Sequence, residues 1–92
     1  HIMMMILVII SGIVFKINTI EWFTCIILFA LVIGSEMINT AIETVVDLVM
    51  PEINDKAKII KDSAAGAVLV QAIAACIIGL IIFMPKFIVL FK

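Results

Sequence analysis

Three carboxylates and one amide recur at helical spacing inside a stretch of sequence that is otherwise almost entirely hydrocarbon. They are Glu36, Asn39, Glu43 and Asp47. On a helix that turns about 100° per residue, these four side chains fall within a sector of roughly 80° and form one polar stripe on an apolar rod. An ionised side chain near the middle of a bilayer costs ~3 kcal/mol or more, so the stripe must face something other than lipid and indicates a functional site.

The rest of the composition is typical of a membrane protein. Hydrophobic residues make up 66% of the 92 residues and charged residues only 14%, against about 45–50% and 25% in soluble domains. We expect a single membrane-embedded domain over residues 1–92, and a net charge of -1 without a basic patch argues against nucleic acid as a partner. Cys25 and Cys76 lie in apolar segments without CxxC spacing, which predicts that both are buried rather than bonded to each other or to a metal.

Three apolar segments separated by polar turns predict an all-α protein with three transmembrane helices. The first segment, residues 2–15, is short for a span, which needs about 20 residues. It begins abruptly at His1 without a polar flank, so we expect native sequence upstream of it to be missing. A signal peptide is the alternative, but no basic region precedes the apolar run and no clear small-x-small cleavage site follows it.

The second segment is long enough to cross a bilayer and emerge from it. Asn18 or Thr19 can cap this helix, and Pro51 ends it. The predicted helix, residues 20–49, is ~45 Å long at 1.5 Å per residue, whereas the hydrocarbon core of a bilayer is ~30 Å thick. The polar stripe therefore climbs from within the hydrocarbon towards water.

The third helix is predicted to begin near Lys58, after a short polar loop, and to end its span at Pro85. Small or polar residues recur every four positions along it, at Ser63, Ala67, Gln71, Ala75 and Gly79. We interpret this row as a surface for close helix packing, with Gln71 making an interhelical hydrogen bond. The hairpin of the second and third helices should gather acids and lysines at one membrane face, but lysines are equally numerous at both faces and do not set the orientation.

The stripe and a lysine on the third helix together contain the groups that phosphoryl transfer requires. Glu36, the deepest of the acids, can act as a general base towards a hydroxyl at the lipid headgroup level. Glu43 and Asp47, nearer to water, suit a hard divalent cation that also binds water and phosphate oxygens. Lys61 can neutralise phosphate oxygens. The sequence has no glycine-rich phosphate loop, so a nucleotide site would have to be built from helix side chains.

Other functions also account for a polar stripe in a membrane helix. A membrane carboxylate such as Glu36 is typical of ion or proton translocation, and the whole stripe can hold the helices of a structural oligomer together. Asp55, Lys56 and Lys58 are better explained as an ordinary solvated loop. The alternative function is therefore a small ion-conducting or structural membrane oligomer without enzymatic activity.

A longer motif runs through the stripe and into the third helix. It reads Glu36-x-x-Asn39-Thr40-Ala41-Ile42-Glu43-x-x-Val46-Asp47, followed fourteen residues after Asp47 by Lys61-Asp62 and then by Ala64-Ala65-Gly66-Ala67-Val68. This motif resembles the prokaryotic diacylglycerol kinase family, and the resemblance covers essentially the whole chain. Pro51-Glu52 and the Ala-Ala-Gly-Ala-Val run look most like the undecaprenol kinase branch of that family.

The resemblance implies a lipid kinase of the bacterial plasma membrane, a homotrimer of three-span protomers with shared active sites on the cytoplasmic face. It implies ATP and Mg²⁺, and a lipid alcohol, undecaprenol or diacylglycerol, as the acceptor. By position, Glu36 would be the general base at the lipid, and Glu43 would bind the metal and the nucleotide. The other implied site residues are Glu52, Asn54, Lys61 and Asp62 around the nucleotide, Asn39 and Asp47 as supports, and Ala65 near the lipid. No segment here matches the family's amphipathic surface helix, which supplies a further acidic metal ligand, and we expect that helix to be absent.

Overall fold

Three α-helices make up the secondary structure of residues 2–52 and 54–92, the part of the chain that the computed structural model describes. In chain order they are α1 (Ile2–Val14), α2 (Thr19–Val49) and α3 (Asp55–Leu90). Together they form a rod of 57 × 20 × 17 Å. The predicted all-α class is confirmed.

Two of the helices have the properties of membrane spans. α2 has 31 residues and contains an 18-residue stretch with a mean hydropathy of 2.0, and α3 has 36 residues and contains such a stretch with a mean hydropathy of 2.7. Only 6% of the apolar stretch of each helix is buried within the chain, so their apolar side chains point outward, as lipid requires. α1 is apolar but has only 13 residues. Among the described residues, two helices rather than three are thus long enough to cross a membrane.

Local capping fixes the connection between α1 and α2. Asn18 Oδ1 accepts a hydrogen bond from the Glu21 N–H (2.8 Å), and Glu21 Oε1 accepts one from the Asn18 N–H (3.1 Å), which together make a capping box. α1 ends at Val14, and Lys16, two residues later, has a left-handed φ of 52°. The N–H of Ile17 then donates to the carbonyl of Gly12 (3.1 Å), a bond of the Schellman motif. These local hydrogen bonds fix the sharp turn between α1 and α2.

The loop between α2 and α3 is shorter than predicted because Asn54 caps α3. Its side-chain oxygen accepts hydrogen bonds from the backbone N–H groups of Lys56 (2.8 Å) and Ala57 (3.4 Å). α3 consequently begins at Asp55 rather than near Lys58. The charged residues of this segment are exposed, as predicted, but they belong to the first turn of a helix.

α3 continues through Pro85, contrary to the prediction from the sequence. The helix ends at Leu90, five residues later. A proline removes only its own N–H from the hydrogen-bond ladder, and neighbouring polar groups can satisfy nearby carbonyls in a membrane helix. The missing N–H of Pro85 would have bonded to the carbonyl of Ile81, and the ammonium of Lys86 donates to the neighbouring carbonyl of Ile82 (3.1 Å).

α2 and α3 pack side by side and antiparallel. Ion pairs join them near both ends, Asp47 with Lys61 at one end and Glu21 with Lys86 (2.7 Å) at the other. The inward positions of α2 recur every seven residues, which is the spacing of a coiled-coil seam. They are the buried or half-buried residues Cys25, Val32, Asn39 and Val46.

The row of small residues at four-residue spacing on α3 only partly faces α2. Gln71, Ala75 and Gly79 are half-buried, whereas Ser63 and Ala67 are exposed. Four residues turn a helix by ~400°, so each residue of such a row lies ~40° further around the helix than the one before it. Residues that contact a partner helix recur every seven positions instead, so only part of the row can face α2. Packing of Ser63 and Ala67 against another protomer stays a prediction.

The most buried apolar cluster lies at the end of the hairpin away from the polar stripe. It consists of Ile17, Cys25 and Ile82, with half-buried residues of all three helices packed around it. Cys25 is buried as predicted, whereas Cys76 is exposed on α3, and both are free thiols. The prediction that Cys76 is buried is wrong for a single chain because its position lies outside the contact with α2.

Candidate active site

The polar stripe lies on one side of α2, along its contact with α3. Glu36, Asn39 and Glu43 are half-buried, and the side chain of Asp47 is 64% exposed. Because they occupy successive turns of one regular helix, the four side chains project from the same side at increasing heights. The stripe therefore runs from the apolar middle of the rod to its polar end.

Within the stripe, an amide holds one of the carboxylates. Asn39 Nδ2 donates a hydrogen bond to Glu43 Oε1 over one helical turn, at 3.3 Å. The contact limits the rotamers of a half-buried carboxylate in an apolar setting. The hydrogen bond therefore holds the Glu43 carboxylate beside Asn39 on the polar side of α2.

Lys61 reaches from α3 to Asp47 on α2. Its ammonium donates to Asp47 Oδ1 in an ion pair whose side chains are 39% and 64% exposed, respectively. A pair as exposed as this contributes about 1 kcal/mol at most. The lysine can therefore turn from the carboxylate to a phosphate at little cost in stability.

The other predicted site residues lie around this end of the hairpin. Glu52 is exposed in the loop, and Asp62 and Ala65 are exposed in the first turns of α3. Asn54 uses its side-chain oxygen to cap α3. Its position just before the helix indicates this role, which is not among those predicted for Asn54 from the sequence. Within the described residues, no hydrogen bond or ion pair joins these four to Glu43 or Asp47.

A shallow, mostly apolar groove runs along the outer side of α2 beside Glu36. Its lining is Ile33, Glu36, Met37, Thr40 and Ala41. Met37 is 68% exposed, so the groove opens onto the surface that lipid would cover. Glu36 thus borders both the contact with α3 and the lipid-facing side of α2.

The donor set for a metal ion is small. Across residues 2–52 and 54–92, no three Asp, Glu, His or Cys side chains form a group that could hold a metal ion. Glu43 and Asp47 offer two carboxylates one turn apart, and Asp47 is engaged with Lys61. Mg²⁺ is commonly bound by one or two carboxylates together with water and substrate phosphates. The residues present therefore fit Mg²⁺ that arrives with a nucleotide, and they do not form a cage for a permanently bound ion.

The fold and the stripe define a small helical membrane protein with a carboxylate site between two antiparallel helices. The chain matches the family described as Prokaryotic diacylglycerol kinase over residues 1–83 and belongs to that family. The resemblance found in the motif is thereby confirmed.

Two curated relatives bear the names of lipid kinases. The chain is 46% identical over 79 residues to an undecaprenol kinase of Bacillus subtilis, and the match covers 86% of this chain and 64% of that protein. It is 52% identical over 56 residues to a diacylglycerol kinase of Synechocystis sp., with 60% and 32% covered. The chain therefore spans less than two thirds of the length of either relative. No solved structure matches it significantly.

Proposed function

We propose that this protein is a membrane-embedded lipid kinase that transfers the γ-phosphoryl group of ATP to a lipid alcohol, undecaprenol or diacylglycerol. Membership of the family and the names of both relatives support this activity. The observation that carries the proposal is the position of Glu36. This half-buried carboxylate lies between an apolar groove and the α2–α3 contact, on the same side of α2 as Glu43 and Asp47.

The chemistry divides among three side chains. The lipid lies in the groove with its hydroxyl at Glu36, which takes the proton as the hydroxyl oxygen bonds to the γ-phosphorus and ADP leaves. Lys61 exchanges Asp47 for the phosphate oxygens and neutralises their charge. Glu43, held by Asn39, binds Mg²⁺, which when bound supplies positive charge to the transferring phosphoryl group.

The rest of the proposed nucleotide site lies at the polar end of the hairpin. Glu52, Asn54 and Asp62 surround the nucleotide there, and Ala65 lies near the lipid. Asn54 keeps its oxygen in the cap of α3, so the amide N–H groups are the part of this side chain that can bind ATP. Asn39 and Asp47 support the site through their contacts with Glu43 and Lys61.

The assembly that we propose is a homotrimer of single-domain, three-span protomers in the bacterial plasma membrane, with shared active sites on the cytoplasmic face. The sparse interior of the chain favours such an assembly. Only five hydrophobic residues are buried among those that the structure describes. Neighbouring protomers would cover the half-buried acids of α2, which lipid alone solvates poorly.

Lipid-dependent turnover of ATP by the full-length protein in detergent or liposomes tests the proposed activity. With Mg²⁺ present, we expect the γ-phosphoryl group to move to undecaprenol, to diacylglycerol or to both, and no turnover without an acceptor lipid. Absence of transfer to either alcohol would overturn the proposal. Ion flux through the same liposomes would then favour the ion-conducting alternative, and its absence the structural one.

A further inference from the structure

Three contacts between α2 and α3 set the relative height of Glu36 and a polar residue on α3, Gln71. Glu36 lies fifteen residues after Glu21, and Gln71 lies fifteen residues before its partner, Lys86. Glu36 lies eleven residues before Asp47, and Gln71 lies ten residues after its partner, Lys61. In antiparallel helices that both rise 1.5 Å per residue, these counts place Glu36 and Gln71 at the same height to within about one turn.

The third contact gives the same result. Cys25 and Ile82 pack in one buried cluster. Glu36 lies eleven residues after Cys25, and Gln71 lies eleven residues before Ile82. Eleven residues make just over three whole turns of an α-helix, so each polar residue also shares a side of its helix with the buried residue.

Gln71 occupies an inward position on α3. The residues seven positions away on either side, Ala64 and Ile78, are half-buried, and Ala57, seven residues before Ala64, is buried. Seven-residue spacing keeps side chains on the helix face that contacts a partner helix. Gln71 is therefore the polar residue of a seam that is otherwise apolar at this spacing.

The side-chain oxygen of Gln71 is buried and has no hydrogen-bond partner among the described residues. A buried acceptor without a partner is costly, and an apolar residue of similar shape would avoid that cost. Packing alone thus does not explain a glutamine at this position. The side-chain oxygen of Gln71 needs a hydrogen-bond donor, and the described residues do not supply one in this structure.

Few groups at this height of α2 can become that donor. The hydroxyl of Ser35 donates to the carbonyl of Val32 on its own helix (2.9 Å). Asn39 Nδ2 uses one of its two N–H groups for Glu43, and Asn39 lies ~4.5 Å further along α2 than Glu36. Thr40 is exposed on the outer side. Glu36 is the polar side chain of α2 that these contacts place at the height of Gln71, and its carboxyl group becomes a donor when it takes up a proton.

We propose that Gln71 is a positioning residue for Glu36, an inference that rests on the lipid kinase activity proposed above. The amide donates through Nε2 to the Glu36 carboxylate and so aims it at the lipid hydroxyl. When the lipid O–H bond breaks, the proton forms a new O–H bond on Glu36, and the alcohol oxygen bonds to the γ-phosphorus as the bond to ADP breaks. The new O–H group donates to Gln71 Oε1 until the proton is lost to water. One amide thereby stabilises the base in both of its protonation states.

The test compares Gln71→Met with Ile78→Met in the full-length protein, with kcat, both KM values and thermal stability measured together. Methionine keeps the length of glutamine but has no amide. We expect Gln71→Met to lower kcat by about ten- to a hundredfold, with KM for ATP and for the lipid unchanged within about twofold. Its thermal stability should equal or exceed that of the wild type, because the unpartnered acceptor is gone. Ile78→Met, seven residues along the same face, should keep the wild-type kcat.

A double variant separates positioning from packing. Glu36→Gln with Gln71→Met should transfer phosphate no more slowly than Glu36→Gln alone, since the amide acts only through the base. A wild-type kcat in Gln71→Met, or losses that multiply in the double variant, would overturn the inference while the kinase proposal stands. A wild-type protein that phosphorylates no lipid alcohol would overturn the kinase proposal itself, and this role of Gln71 would fall with it.

Discussion

Each acid of the stripe lies in a different environment, although all three share one side of α2. Glu36 borders an apolar groove, Glu43 is held by the amide of Asn39, and Asp47 is paired with Lys61 near the exposed end. The surroundings of a carboxylate decide whether it serves as a base, a ligand or a counter-ion. The three acids are therefore not interchangeable, and substitutions at each should have distinct kinetic effects.

Glu36→Gln should abolish transfer to the lipid and leave the oligomer intact. The amide has the shape of the carboxylate but cannot accept the hydroxyl proton, and loss of a positioned base lowers rates by about 10²–10⁴-fold. Initial rates in liposomes, together with the size of the purified oligomer, measure both effects. Ser35→Ala is the matched control, because the hydroxyl of Ser35 bonds only within its own helix. Turnover above about a tenth of the wild type would remove Glu36 from this role.

Glu43→Gln should raise the concentration of Mg²⁺ needed for half-maximal activity, with little change in KM for the lipid. The substitution replaces a charged oxygen ligand by a neutral one, and hard divalent cations favour carboxylates. Titration of Mg²⁺ at fixed lipid measures the change. Thr44→Ala, at the next position, removes a hydroxyl that donates to the carbonyl of Thr40 (2.8 Å) and serves as the control. An unchanged Mg²⁺ requirement in Glu43→Gln would make its carboxylate a structural one.

The helices differ in how well the sequence predicts their bounds. α2 begins at a capping box and is bounded by Pro51, and because both signals are local, the prediction of residues 20–49 is nearly the observed Thr19–Val49. α3 begins earlier than predicted because Asn54 caps it, and it continues past Pro85, the residue at which the sequence predicts the span to end. In an apolar setting a helix tolerates a proline. The partner of Lys61 lies on another helix, as does the partner that we propose for Gln71, and both depend on the register of the two helices, which no local pattern contains.

α1 is attached to α2 by a close approach at Gly12. A Cβ atom at this position would lie 2.5 Å from Cη2 and 2.8 Å from Cζ2 of Trp22. Both distances are far below van der Waals contact, and the indole is rigid. Only a residue without a side chain therefore lets α1 lie against Trp22.

Gly12→Ala should loosen α1 from α2 and lower stability by about 1–3 kcal/mol, the usual cost of overpacking. Trp22 is the single tryptophan of the chain, so its fluorescence reports the displacement directly, and thermal unfolding reports the stability. Gly79→Ala is the control, because a Cβ atom there meets nothing within 4 Å in this chain. Equal fluorescence and stability in Gly12→Ala and the wild type would show that the indole moves aside without cost.

At the scale of the whole molecule, polar and apolar surfaces are separated along the rod. The acids of the stripe and Lys61 lie towards one end, whereas Glu21 and Lys86 form the ion pair at the other. Most of the large apolar side chains between them are exposed in the single chain. The composition of the chain predicts this exposed apolar surface. The number of protomers that cover it depends on contacts between protomers, which no local sequence pattern encodes.

Mixed oligomers test whether a site is shared between protomers. Chains carrying Glu36→Gln or Lys61→Ala should each be inactive alone. When the two are co-expressed, about a quarter of shared sites would pair an intact Glu36 with an intact Lys61 from different chains, so partial activity should return. Affinity tags of two kinds show that the mixed oligomers form. If they form and remain inactive, Glu36 and Lys61 serve one site from the same chain, and the shared-site arrangement is wrong.

The ion pairs at the two ends of the hairpin resist sliding of α2 along α3. Glu21 and Asp47 are 26 residues apart, which is ~39 Å along the helix. A slip by one turn, ~5.4 Å, would pull both acids away from their lysines at the same time. The two pairs therefore favour one register of α2 against α3, and in the proposed reaction the lipid would reach Glu36 through the open groove on α2.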